Sequence, residues 1–293
     1  MLAVLNRPPA ISAFETRMLS YRHAFHAGNP ADVFKHAVLL VLLRAMQHKS
    51  KGIRFIDTHA GPALYALDSE FAQKNREHER GIACLWGHTQ NSPELSDYLD
   101  QVRAHNRDGQ LMNYPGSPLL LRGLLRPQDE LFLCELHPSE QRALTERFAV
   151  DRQVTIHSGD GYAALAKLLP PPTGRGLTLI DPPFELKSEL DDMERALDRA
   201  LDRYGHGVYA IWYPLIEGRE CTPDRLPNRL GLDGERWLDL RIEFPPEQRL
   251  GRMHGCGMAI INCPFRARLP LLALQSMLDH RSDRLDETQA GIQ

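Results

Sequence analysis

Five cysteines, Cys84, Cys134, Cys221, Cys256 and Cys263, form no CxxC pair and make an odd count. That excludes a thiolate zinc ribbon and a complete disulfide framework, and the five read as reduced cytosolic thiols placed mostly in the core. Long apolar runs are missing too: the longest, Ala37 to Leu43, is far too short to span a bilayer. Neither sign of charge dominates, with 35 Lys and Arg against 38 Asp and Glu for a net −3. A nucleic-acid partner therefore needs a local basic face, because global charge does not supply one. The Gly-x-Gly-x-x-Gly loop that seats a pyrophosphate is absent, which argues against a dinucleotide cofactor. His23 and His26 are spaced as metal ligands can be, but no third ligand accompanies them and no metal is expected.

What is present is an ordinary globular composition, 42% hydrophobic and 25% charged, which rules out wholesale disorder. The 293 residues suffice for one large α/β core or two modest domains. Residues 1–17 carry Pro8-Pro9 and no sustained periodicity, and Met18 offers a second possible start, so an N-terminal extension is expected there. Asn29-Pro30 with Asp32 is a helix start, and that helix runs to about His48. Residues 66–112 are polar, with helical patterns at 69–85 and 93–106, and read as a helical insertion. Residues 18–65 and 113–280 then form the main domain, and 281–293 a polar tail.

Along the main domain, apolar runs alternate with helical patterns from Ile53 to Pro214, the signature of a doubly wound sheet, and two last runs could pair antiparallel. Successive strand ends carry Asp57, Glu135, Asp160 and Asp181. One such acid is commonplace. Four in order, each in a different turn, favour a nucleoside crevice at the carboxyl edge of the sheet. Gly61 marks a tight turn where backbone approaches a ligand, and an acid at the second strand's end, Glu135, suits ribose hydroxyls. Asp160 is placed to accept a hydrogen bond from an adenine amine. Ser117, read alone, is a helix cap.

Asp181-Pro182-Pro183-Phe184 closes the apolar run Gly176 to Ile180. Standing alone, the tetrapeptide is equally an ordinary strand-end turn. It matches the (Asp/Asn/Ser)-Pro-Pro-aromatic pattern of enzymes that methylate exocyclic amines of bases. In that chemistry the Asp181 carboxylate and the Pro182 carbonyl each accept an amine hydrogen, and Phe184 stacks on the flipped base.

The chain resembles the ribosomal RNA large subunit methyltransferase J family over about Met18 to Phe265. The resemblance rests on Leu-Ser-Tyr-Arg-His-x-Phe-His-Ala-Gly-Asn at Leu19 to Asn29, Asp-Thr-His-Ala-Gly at Asp57 to Gly61, Tyr-Pro-Gly-Ser-Pro at Tyr114 to Pro118, Glu-Leu-His-Pro at Glu135 to Pro138, and Asp-Pro-Pro. It implies a Rossmann-like class I fold with a seven-stranded, mostly parallel sheet and a small helical insertion. It also implies S-adenosyl-L-methionine as cofactor and N6 methylation of adenine 2030 in 23S ribosomal RNA. By the same resemblance His36, His59, Ser117, Glu135, Asp160, Gly161 and Asp181 hold the cofactor, Asp181 positions the amine and Tyr21 touches the RNA. Two departures stand out: Phe184 replaces the family's tyrosine, and Pro62 follows Gly61.

The residues alone add Arg17, Arg22, His23, Lys35 and the later Arg249, Arg252, Arg266 and Arg268 as candidate phosphate contacts. Methylation of DNA adenine, a non-catalytic nucleic-acid-binding module on the same fold, and a nucleotide-dependent oxidoreductase stay open on the sequence. The last is disfavoured by the absent glycine loop. A cytoplasmic monomer is expected.

Overall fold

The computed structural model describes residues 22–87, 92–186 and 188–279. The expected extension, Tyr21 and the tail beyond 280 lie outside the described residues.

In chain order the elements are α1 (Pro30–Gln47), β1 (Arg54–Asp57), β2 (Leu64–Ala66), α2 (Glu70–Asn75), α3 (Ile82–Leu85), α4 (Pro93–Ala104), β3 (Asn113–Pro115), α5 (Ser117–Arg122), β4 (Glu130–Glu135), α6 (Pro138–Arg147), β5 (Val154–Ser158), α7 (Gly161–Leu168), β6 (Gly176–Ile180), α8 (Glu189–Arg203), β7 (Val208–Ile216), α9 (Leu226–Arg229), β8 (Trp237–Glu243), β9 (Met253–Ile261) and α10 (Phe265–Leu278). Seven strands form one sheet in the order β5-β4-β1-β6-β7-β9-β8. Its first five strands are parallel, while β9 runs antiparallel to both β7 and β8. This is the Rossmann-like topology of class I methyltransferases. After β1 the chain builds outward through β4 and β5, then returns to place β6 on the other side of β1. The carboxyl ends of β1 and β6 thus flank the switch point, where such sheets open a crevice.

Local chemistry explains the elements that frame that crevice. Asn29 caps α1 by accepting from the Asp32 N–H at 2.9 Å, with Pro30 in the first turn. All five residues of β6 are buried, as its unbroken apolar run requires of a central parallel strand. Complete burial of Leu177, Leu179 and Ile180 stabilises the fold by about 1.5–3 kcal/mol each. One core cluster packs α1 and α10 onto the sheet, and a second packs α7 and α8 against Ile180, Ile211 and Ile261 on the other face.

Residues 67–112 lie between the strands of a small antiparallel ribbon, β2 with β3, so the expected insertion begins with the last residue of β2. Ile82, Leu95, Tyr98, Leu99 and Val102 from this segment join the same core as α1. The ribbon, the short α9 and α10 were not expected from sequence. The ribbon strands have only three residues each, and α10 carries Pro270 within it and exposes Phe265 and Leu269 while burying Ala267, Leu271 and Leu274. A proline and apolar residues on both faces hide a helical period. No helix among the described residues is long and apolar enough to cross a membrane.

Candidate active site

The carboxyl ends of β1, β4, β5 and β6 and the start of α1 converge on a cleft of about 820 Å³. Among the residues expected at a site, His36, His59, Gly61, Ser117, Glu135, Asp160, Gly161, Asp181, Pro182 and Phe184 all line it.

At its centre is a charged chain that sequence reading missed. The Lys35 ammonium, buried on α1, donates to Asp181 Oδ2 at 2.6 Å and pairs with Asp32 Oδ1 at 2.8 Å. Asp32 Oδ2 in turn meets His23 Nε2 at 2.9 Å and accepts from the Gly28 N–H at 2.9 Å. Burial alone pushes an ammonium toward its neutral form, but the two carboxylates outweigh it and hold the Lys35 pKa above the ordinary lysine value. Burial also works against the Asp32 carboxylate, and His23 and Lys35 reverse it, keeping the group well below the usual carboxylate range. Lys35 was read as a phosphate contact on a basic face. The structure places it 4% exposed, with both acids as its partners.

Asp57, at the end of β1, is fully buried. It accepts from Ser117 Oγ at 2.6 Å and from the His59 N–H at 3.1 Å. Ser117 therefore does not cap α5, whose N-cap is Gly116 without a side-chain bond; its hydroxyl ties α5 to β1 instead. Burial pushes Asp57 up to about 6 against those two hydrogen bonds. The sign follows: an acid whose folded pKa is raised contributes stability while protonated and loses it as pH climbs from the ordinary 3.8 through about 6. Asp57→Asn should therefore gain in melting temperature relative to wild type as pH rises across that window. A difference that stays constant with pH in thermal unfolding would remove this account.

The neighbouring turn fixes a histidine. Thr58 Oγ1 donates to the Leu179 carbonyl at 3.0 Å and lies 2.8 Å from His59 Nδ1. With the hydroxyl proton committed, Nδ1–H donates to the hydroxyl oxygen, which leaves Nε2 as an acceptor. Burial lowers His59 to about 4, so the ring is neutral. His36 is likewise neutral, pushed down to about 3 by burial and by the charge of Lys35, and its Nδ1 sits 2.7 Å from the Tyr114 hydroxyl.

Glu135, at the end of β4, accepts from the Gly61 N–H at 2.8 Å and the His137 N–H at 2.6 Å. Burial raises its pKa and the two backbone donors oppose that rise. Gly61 has φ +64°, so a residue with a Cβ would be strained there, and the turn closes onto Glu135 with Pro62 in place. At Gly161 the reason for glycine is closeness: a Cβ would stand 2.1 Å from the Thr58 carbonyl oxygen. Asp160 caps α7 by accepting from Tyr162 N–H at 2.8 Å and Ala163 N–H at 3.3 Å.

Phe184 adopts φ +50°, the left-handed region, which is unusual for a ring-bearing residue and marks a strained turn. It is 3% exposed and packs edge-to-face on Trp212 with centroids 5.9 Å apart. Trp212, which the sequence did not single out, also lines the cleft, with its ring 5.7 Å from Lys35 Nζ. Glu77 from the 66–112 segment, which also lines the cleft, takes His26 Nδ1 at 2.9 Å and the Asn29 amide at 3.0 Å. Of the dispersed arginines, Arg22 directly precedes His23, which lines the cleft. Arg249 and Arg252 flank Leu250, which lines the cleft, while Arg266 and Arg268 sit on α10.

A family model described as Ribosomal RNA large subunit methyltransferase D, RlmJ, matches residues 50–292. The chain belongs to the RlmJ family. It is 41% identical over 252 residues to Ribosomal RNA large subunit methyltransferase J of Escherichia coli (strain K12), covering 85% of this chain and 89% of that protein. With the protein of the same description from Haemophilus influenzae it shares 39% over 251 residues, 85% of this chain and 88% of that one. The crystal structure of a protein from Legionella pneumophila superposes with a TM-score of 0.75 at 33% identity, covering 86% of this chain and 93% of the other. The RlmJ model begins at residue 50, so α1, with Asp32, Lys35 and His36, precedes the matched stretch.

Proposed function

We propose that the protein transfers the methyl group of S-adenosyl-L-methionine to the N6 amine of an adenine in 23S ribosomal RNA, acting as a cytoplasmic monomer. The observation that carries the reading is the Asp181-Pro182 turn at the end of β6, with its carboxylate held from one side by Lys35. RlmJ membership supports the reaction class and ribosomal RNA as substrate.

The cleft suits the cofactor. Its size is that of a site enclosing a ligand of this size. Glu135 presents a carboxylate at the end of the second parallel strand, where ribose hydroxyls are usually bound, and the neutral His59 offers an acceptor. Glu135, Asp160, His59 and Gly161 would hold the adenosine part, with Ser117 and Asp57 bracing the β1 turn. When bound, S-adenosyl-L-methionine supplies an electrophilic methyl on a sulfonium.

The chain's own residues then act on the amine. The N6 lone pair of adenine is delocalised into the ring, so the amine must pyramidalise to attack. Asp181 Oδ2 is engaged by Lys35, which leaves Oδ1 to accept one amine hydrogen while the Pro182 carbonyl accepts the other. That arrangement favours a geometry found mainly in the transition state. The deciding assay is methyl transfer from labelled S-adenosyl-L-methionine to unmodified 23S ribosomal RNA and to DNA, with nucleoside analysis of the product. Label in N6-methyladenosine of the RNA is the expected result. Label in DNA alone would leave the site standing and overturn the substrate.

A further inference from the structure

Next to His23 and His26, which line the cleft, four side chains form an aromatic and cationic cluster that the proposed chemistry does not use, with Phe71 and Lys74 exposed and Arg22 and Phe25 half-buried. Phe71 of α2 and Phe25 of the short turn before α1 meet edge-to-face at 5.2 Å and 86°. The Arg22 guanidinium lies 5.2 Å from the Phe71 ring centroid, and the Lys74 ammonium 5.4 Å from that of Phe25. Phe71 is 39% exposed, one of the few large apolar side chains left in water. Phe71 and Lys74 are three residues apart on α2, so both project to one face.

Two features set this cluster apart from an ordinary solvated surface. Most of the arginines around it are paired or tied: Arg76 to Glu79, and Arg80 to the Arg249 carbonyl at 2.7 Å. Among the described residues, Arg22 and Lys74 take no carboxylate and lie over ring faces instead. The cluster is also continuous with the cleft. His23 and His26 line the cleft and bracket Phe25 in sequence with Arg22, and the His23 ring lies 5.3 Å from, and tilted at 59° to, that of Tyr65, which also lines it. Rings with cations that meet no carboxylate among the described residues, beside a base-modifying cleft, have the makeup of single-strand nucleic-acid platforms, where bases stack and phosphates find the charges.

We infer that the Arg22, Phe25, Phe71 and Lys74 face binds single-stranded RNA next to the target adenine, stacking a flanking base on Phe71 and drawing its phosphates to Arg22 and Lys74. This rests on the proposed action on RNA, and the test separates the two. Binding is read by fluorescence anisotropy of a labelled single-stranded RNA spanning the target site, and methyl transfer is read in parallel on the same RNA. Phe71→Ala should weaken RNA binding roughly tenfold, within the range of one lost base–ring stack, and Phe71→Tyr should restore it. Arg22→Ala and Lys74→Ala should each flatten the plot of log affinity against log salt by about 0.7. Affinity for S-adenosyl-L-methionine and the melting temperature should not move.

Wild-type RNA affinity in Phe71→Ala overturns the inference. So does a loss accompanied by lower cofactor affinity or a lower melting temperature, which would make the cluster a structural brace. If wild type transfers methyl to RNA while all the variants bind normally, the cluster falls and the enzymatic reading stands. If the variants lose RNA binding as described but wild type methylates no RNA, the cluster stands and that reading falls.

Discussion

Asp181→Ala should remove methyl transfer, lowering kcat by roughly 10²–10³-fold or more, the scale seen when one preorganised partner of a transition state is deleted. Affinity for S-adenosyl-L-methionine should stay close to wild type, because the groups proposed to hold the adenosine lie on β1, β4 and β5. The fold should tolerate the change as well. Asp181 borders the cleft, and its loss leaves Lys35 paired one-to-one with Asp32. Asp181→Asn separates charge from shape: it keeps an acceptor oxygen near the amine but cannot pair with the ammonium. Intermediate activity would assign part of the effect to orientation alone. Isothermal titration with the cofactor beside single-turnover methyl transfer reads both quantities, and a fully active Asp181→Ala would remove the residue from the reaction.

The parts of this site legible in the sequence are those fixed by neighbours in the chain. β6 announces itself because Leu177, Leu179 and Ile180, with Thr178 among them, follow Gly176 and stop at Asp181 and two prolines; such a segment can only be a buried strand or a short buried helix, and its length decides for the strand. The start of α1 is written in Asn29-Pro30 and Asp32, because capping is a contact over three residues. Ser117 shows where local reasoning fails. A serine after glycine at a helix start reads as a cap, yet its hydroxyl goes to Asp57, sixty residues earlier. Lys35 fails for the same reason on a larger scale. A lysine in the first turns of a helix looks like a solvated cation, and one of the two acids it pairs with lies 146 residues further along. Helix α10 was missed on different grounds, since Pro270 and exposed Phe265 and Leu269 erase the period that its buried face would otherwise display.

Lys35→Met should be costly to both stability and activity. The side chain is buried and answers two carboxylates, so an apolar replacement of similar length leaves Asp32 and Asp181 without the ammonium between them. Removing one partner of a buried ionic pair costs about 3–5 kcal/mol, and the melting temperature should fall accordingly. Methyl transfer should fall because Asp181 Oδ2 loses the ammonium that orients it. Lys35→Arg should not rescue, since a planar guanidinium does not fit where a compact ammonium meets two acids at 2.6 and 2.8 Å. The decisive variant is the double substitution Lys35→Met with Asp32→Asn. It removes the ammonium and one of its acids together, leaving only Asp181, which the cleft can hydrate. Much of the lost stability should return, while kcat stays low. If activity returns along with stability, Lys35 serves the fold alone, and the 2.6 Å contact to Asp181 plays no part in presenting the amine.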